Sequence, residues 1–284
     1  MATGARARPK VALAEPKVIL LTLLVSFVLI VVLYPVVLLL INSFNVAPSW
    51  FSGSPQWGLD HWRTAMDQRS ILTSLWNSIM IWGFVVGISF PIAVLMAWTL
   101  ARTNIPRSHT IEFLFWVSFM MPGISTTLAW IALMDPDLGF MNLLLEKLPF
   151  VDQGPFNIFS VPGIVWAHIM ANGISIKVML LTPAFRNMDA SLEEAARVSG
   201  ASNIRTMFRV TLPLMMSPMA LVFALQLLRI FQSFETEFLL GGPIDFYVYS
   251  TKIFGLVRSD MPDYGGATVL ASLTLLIIAV IIPM

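Results

Sequence analysis

The sequence predicts an all-α polytopic membrane protein, with about six transmembrane helices and one amphipathic segment between spans four and five. Three observations carry this expectation. Hydrophobic residues make up 57% of the chain and charged residues 12%, against about a quarter charged in soluble domains. The apolar residues gather into six long runs, and mean hydropathy is +0.80. The longest charged insert, Ser191 to Pro218, separates the fourth run from the fifth.

The runs cover roughly residues 18–41, 75–100, 111–134, 161–183, 214–234 and 265–284. Each is long enough to cross a ~30 Å hydrocarbon core at 1.5 Å per residue. None alternates with period two, which argues against barrel strands. The chain therefore divides into a tail, residues 1–17, and one membrane domain, 18–284, with residues 184–213 as its exposed insert. The first run is of spanning length, too long for the core of a cleavable signal peptide. The last run stops at Met284 without a polar tail, as expected of a chain cut short or of part of a longer protein.

Lysine and arginine set the orientation. With the N-terminus inside, the inner segments hold Arg6, Arg8, Lys10, Lys17, Arg102, Arg107, Arg186, Arg197, Arg205 and Arg209. The outer loops hold Arg63, Arg69, Lys147, Lys252 and Arg258. Ten against five satisfies the positive-inside rule. Pro48, Trp50, Gly53, Pro55 and Trp57 in the first outer loop suit an interfacial turn with aromatic anchors.

Composition also removes function classes. There is no cysteine, so disulfides and thiolate chemistry are absent. A net charge of +1 gives no case for nucleic acid. The three histidines, His61, His109 and His168, form no His-Glu-x-x-His pattern, and no span holds a paired acidic cluster, which argues against an intramembrane enzyme. No metal site is expected. No lysine follows a glycine, so a phosphate-binding Gly-Lys loop is missing. Lys177 and Arg229 are the basic residues within spans, too few for a proton relay or an ion channel.

Ser191-Leu192-Glu193-Glu194 reads as a capping box that opens a short helix over 192–199. Gly200 supplies the freedom to turn it. Ser202 is placed to cap a second helix, with Ile204, Met207, Phe208 and Thr211 on one side and Arg205 and Arg209 on another. Pro213 is expected to close this helix before the fifth span. Elsewhere, Gly83-xxx-Gly87 is a small-residue pattern for close helix approach, and Pro91, Pro122 and Asn172-Gly173 are places to bend a helix.

Glu194-Ala195-Ala196, then Gly200-Ala201, then Val210-x-Leu212-Pro213 resembles the EAA motif of binding-protein-dependent ABC importer permeases. The resemblance implies the type I ABC importer permease fold, with residues 184–213 as the cytoplasmic coupling segment. Glu193, Glu194, Ala195, Ala196, Gly200, Ala201, Arg205, Leu212 and Pro213 would then serve coupling to an ATPase. Partners implied are a dimer of ABC ATPase subunits, an extracytoplasmic solute-binding protein, a second permease half or subunit, and membrane lipid. ATP and Mg would be bound by the ATPase, leaving this chain without a cofactor. The location implied is the bacterial inner membrane.

Further stretches are similar to the ferric-iron branch of these permeases. They are Pro155 to Ser160, Gly163 to Trp166, Ser233-Phe234-Glu235-Thr236, Leu239 to Pro243, and Pro262-Asp263-Tyr264-Gly265. Polyamine, thiamine and aminoethylphosphonate permeases look much alike here. A single coupling motif resembles the first half of a fused permease, or a half-sized subunit. Candidate path residues are Arg229, Glu235, Glu237, Asn172 and Lys177. A central arginine costs about 2.5–3.5 kcal/mol on insertion scales and needs a partner or a wet cavity. Glu235 and Glu237 are the expected partners of Arg229. Lys177 lies ~9 Å from the inner end of its span, so its stem is expected to snorkel to the interface, with a place on the path as the alternative.

Overall fold

The structure, a computed structural model, describes residues 16–47 and 54–281. The tail with Arg6, Arg8 and Lys10, the loop tip with Pro48, Trp50 and Gly53, and the last residues to Met284 lie outside the described residues. Among the described residues the fold is all-α, and an isolated bridge between Asn45 and Trp57 is the one extended pairing.

Helix α1 (Pro16–Asn42) is apolar on all sides and leaves most of its surface uncovered by the rest of the chain. It packs against the last helix, α15 (Tyr264–Ile281), where Ser272 Oγ reaches Leu39 O at 3.5 Å. A short α2 (Asp60–Asp67) leads into α3 (Arg69–Arg102), a helix of 34 residues, or ~50 Å. Pro91 sits inside α3 without ending it. The glycines Gly83 and Gly87 face open space, so the expected close helix approach is not made within the described residues.

The third run is not a single helix. It forms α4 (Ser108–Met120) and α5 (Gly123–Met134), which meet at 97°. Pro122 explains the break, because a following proline disfavours the α region. Met121 is accordingly extended, with φ −68° and ψ 132°. After α6 (Phe140–Leu145), α7 (Val161–His168) starts on a serine cap, with Ser160 Oγ accepting from Gly163 N at 3.1 Å. A π turn over Ile169–Gly173 then joins it to α8 (Ser175–Asn187) with a 42° bend. The expected bend at Asn172-Gly173 is thus formed.

The insert supplies α9 (Ser191–Val198), α10 (Asn203–Thr206), a π turn over Met207–Thr211 and α11 (Leu212–Leu214). Pro213 does not close the helix. It is the last residue but one of the continuous helical run Asn203–Leu214. The chain turns by 67° at Met215 instead, into α12 (Met216–Leu228) and a 3₁₀ turn, Arg229–Phe231. Then follow α13 (Glu235–Gly241), α14 (Tyr249–Arg258) and α15.

Helix α3 is the spine. Its Ile81 packs with Ile164 of α7 and Leu240 of α13. Val94 and Ala97 pack with Leu181 and Phe185 of α8 and Val222 of α12. Ile71 packs with Tyr249 and Leu270 at the opposite end. Burying such side chains contributes about 1.5–3 kcal/mol each in water; in a bilayer, where lipid is equally apolar, close packing carries the association.

Candidate functional site

Two places gather the sequence-selected residues. The first is the insert. Its two adjacent glutamates part company: Glu193 is 5% exposed, whereas Glu194 is exposed. Glu193 accepts a hydrogen bond from the Thr211 hydroxyl. It also stands 3.7 Å from Arg102 Nε at the end of α3. The Arg102 guanidinium donates in addition to Met188 O. The inward glutamate thus ties the insert to the spine, and the outward one is left at the surface.

The turn after α9 is a Schellman motif. Ala201 N donates to Ala196 O at 3.0 Å and Gly200 N to Arg197 O at 2.9 Å. Gly200 adopts φ 84°, the left-handed conformation this motif requires. Ser202 caps α10, accepting from Arg205 N at 3.3 Å. The capping box expected at Ser191 is not formed. Ala190 takes the cap position without a side-chain bond. Asp189 Oδ1 accepts from Ser191 N at 2.9 Å instead. Those Ser191 bonds hold the Asp189 carboxyl below its ordinary value.

The expected apolar side of the second helix divides. Ile204 and Phe208 are exposed, Met207 is half-buried and Thr211 is buried. The π turn over Met207–Thr211 shifts the register that a regular helix would keep. Val198, 90% exposed, and Leu192 extend the free apolar surface. Ala195, Arg205 and Pro213 are exposed as well, and Ala196, Ala201 and Leu212 half-buried.

The second place is a cavity of about 270 Å³ among α3, α7, α8, the 229–231 turn and α13. It brings together Asn172, Lys177, Arg229 and Glu237 from the sequence-selected set. Glu235 is exposed and lies elsewhere; a Cβ on Gly123, at the start of α5, would come within 2.7 Å of its Oε2. The expected pairing of Arg229 with Glu235 or Glu237 is not made. Glu237 is buried and accepts from His168 Nε2 at 2.8 Å. The Ser233 hydroxyl lies 2.6 and 2.7 Å from its two oxygens and shares its one proton between them.

Nor does Lys177 snorkel. It is 0% exposed. Its Nζ donates to Ser89 Oγ at 2.9 Å and to Gly173 O. The π turn supplies that carbonyl, since widening the helix redirects backbone acceptors. Trp82 on α3 closes one wall and donates through Nε1 to Gln226 O at 2.6 Å. A further cavity of about 390 Å³ lies beyond, lined by Phe238, Phe254 and Arg258. Glu237 lines both. Sequence reasoning missed His168, Ser233 and Trp82. Ser233 was near Glu237 in the chain, just before α13; nothing linear connects His168 to it.

The profile of the family described as "Binding-protein-dependent transport system inner membrane component" matches residues 89–283. The chain belongs to that family. The permease is thus an inner-membrane component of a transport system. It is 25% identical over 233 residues to the maltose/maltodextrin transport system permease protein MalG of Vibrio parahaemolyticus, covering 75% of this chain and 73% of that one. It is 27% identical over 216 residues to a probable sulfate transport system permease protein of Chlorokybus atmophyticus, covering 76% and 73%. In fold the permease is similar to a chain of a bacterial ABC transporter that imports the acidic polysaccharide alginate. There the TM-score is 0.75 at 18% identity, over 94% of this chain and 91% of the other. It is less similar to a chain of the MetNI methionine ABC transporter, with a TM-score of 0.51 at 14% identity, over 75% and 89%.

Proposed function

We propose that this permease forms the membrane path of an ATP-driven importer and passes a solute from an external binding protein to the cytoplasm. The observation that carries the reading is the split between Glu193 and Glu194. One anchors the insert to α3; the other stands free beside the exposed Leu192, Val198, Ile204 and Phe208. That is the form of a rigid plug which another subunit grips. The plug lies on the cytoplasmic side, together with the N-terminus, as the positive-inside count requires.

An ATPase dimer holds ATP and Mg and seats the plug. A second permease half or subunit completes the path, and membrane lipid covers the rest. Movement of the plug is passed through Arg102 to α3, so nucleotide binding and path opening are coupled. Such coupling needs the ATPase to prefer one state, since equal binding to both shifts nothing.

Among solutes, ferric iron, polyamine, thiamine and aminoethylphosphonate rest on the sequence resemblance alone. The relatives named above carry maltose, maltodextrin, sulfate and alginate in their names.

The test is Glu194→Arg in the permease purified with its partner subunits. The expected result is an intact membrane domain that loses the ATPase or its solute-dependent hydrolysis. Full uptake by this variant overturns the docking role.

A further inference from the structure

The 270 Å³ cavity carries an uncompensated positive charge at membrane depth. Lys177 Nζ is fully buried, and both of its bonds go to neutral oxygens, Ser89 Oγ and Gly173 O. Arg229, an exposed residue, lines the same cavity, and its guanidinium makes no hydrogen bond or ion pair among the described residues. The cavity's one carboxylate, Glu237, is already engaged on both oxygens by Ser233 and His168. Two cations therefore face a space whose acid is spent on a third partner.

Ionisable groups at this depth are costly and are kept where they meet a counter-charge or mark a solute path. A buried charge without a counter-charge, as on Lys177, is strongly destabilising. Asn172 and Gln232 place further amide groups on the cavity wall. The volume is near the lower end for small-molecule sites.

We infer that this cavity binds a small, water-soluble anion bearing carboxylate, sulfate or phosphate oxygens, held by Arg229 and Lys177. The inference rests on the importer reading and supplies the solute class for it. A guanidinium presents a planar fork that matches such oxygens in pairs, and the ammonium adds a point charge. A bare ferric ion, a polyamine or thiamine is a cation and is repelled here. Iron fits as an anionic chelate only.

The experiment titrates the permease, purified with its partner subunits in phosphatidylcholine nanodiscs, with sodium sulfate, trisodium citrate and maltose at fixed ionic strength. Trp82 lies in the cavity wall, so the reading is its fluorescence, with a Trp82→Phe preparation as background. A saturable response to sulfate or citrate, absent for maltose, is expected. Arg229→Gln should weaken it at least ~10-fold, the effect of losing a charged hydrogen bond, and Arg229→Lys should restore part. Lys177→Met should act in the same direction.

Four results overturn the inference: no response to either anion, an equal response to maltose, an unchanged titration in Arg229→Gln, or loss of the response when phosphatidylglycerol is added. The last would make a lipid headgroup the occupant. Copurification of an ATPase is scored on the same preparation. Its absence overturns the importer reading and leaves the anion titration readable.

Discussion

Arg102 Nε stands 3.7 Å from Glu193 Oε2, where the end of α3 meets the insert, and both side chains are largely buried. Arg102 and Glu193 are 91 positions apart in the chain. Their contact is the polar joint between the spine and the plug.

Glu193→Ala should therefore destabilise the permease by about 2–3 kcal/mol. It strips Thr211 of its acceptor and leaves Arg102 with a buried, unmatched charge. Glu193→Gln keeps an acceptor for Thr211 and should cost less. Thermal unfolding in detergent checks both. Glu194→Ala, at an exposed position, should shift stability by no more than ~0.5 kcal/mol.

Gly200→Ala tests the turn. A Cβ there meets nothing within 4 Å, so crowding is not the penalty. The backbone is, since φ is 84°, and an L-residue in the left-handed region costs about 1–2 kcal/mol. The expected outcome is a lower melting temperature and faster proteolysis within the insert, both relieved in Gly200→Asn.

Gly163→Ala tests the entry to α7. Its Cβ would lie 2.1 Å from the backbone oxygen of Ile158, which cannot rotate away. The helix start must shift, at a cost of about 1–3 kcal/mol. A matched loss in thermal stability is the reading. Gly83→Ala, facing open space, is the control and should be neutral or stabilising.

His168→Ala should be among the most damaging single changes in the membrane domain. It removes a hydrogen-bond donor from a carboxylate that is 1% exposed, and losing a hydrogen bond to a charged group costs about 1.5–3 kcal/mol. Adding Glu237→Gln removes the stranded charge, so the double variant should lose less than the sum of the two singles. Unfolding of the four proteins of this cycle gives the coupling directly.

That the hydrophobic runs are helical was legible because each is long and apolar; among the described residues two are unbroken helices of spanning length and three are bent pairs. Breaks within them were legible as positions, not as angles. Pro122 was visible, but the 97° turn depends on how α5 packs against α7 and α13. The turn at Gly200 and the cap at Ser202 were readable because both are local. The Asp189 bond was missed because Ser191 fitted the capping pattern, yet the carboxylate two residues earlier reached the Ser191 amide while Ala190 took the cap position.

Side-chain direction was the limit at the cavity. Lys177 was judged by its distance from the helix end, whereas Ser89, 88 positions away, decides its inward course. Arg229 was assigned the nearest acids in the chain. The acid it was given had a closer suitor in His168, 69 positions away. Pairings of that separation leave no mark in a single sequence.

Glu237 forms part of the wall of both the 270 Å³ and the 390 Å³ spaces. One residue, its carboxylate pinned by a serine and a histidine, thus borders two rooms. A swing of α13 that drew it aside would open them into a corridor, and a short side chain in its place would leave the door ajar.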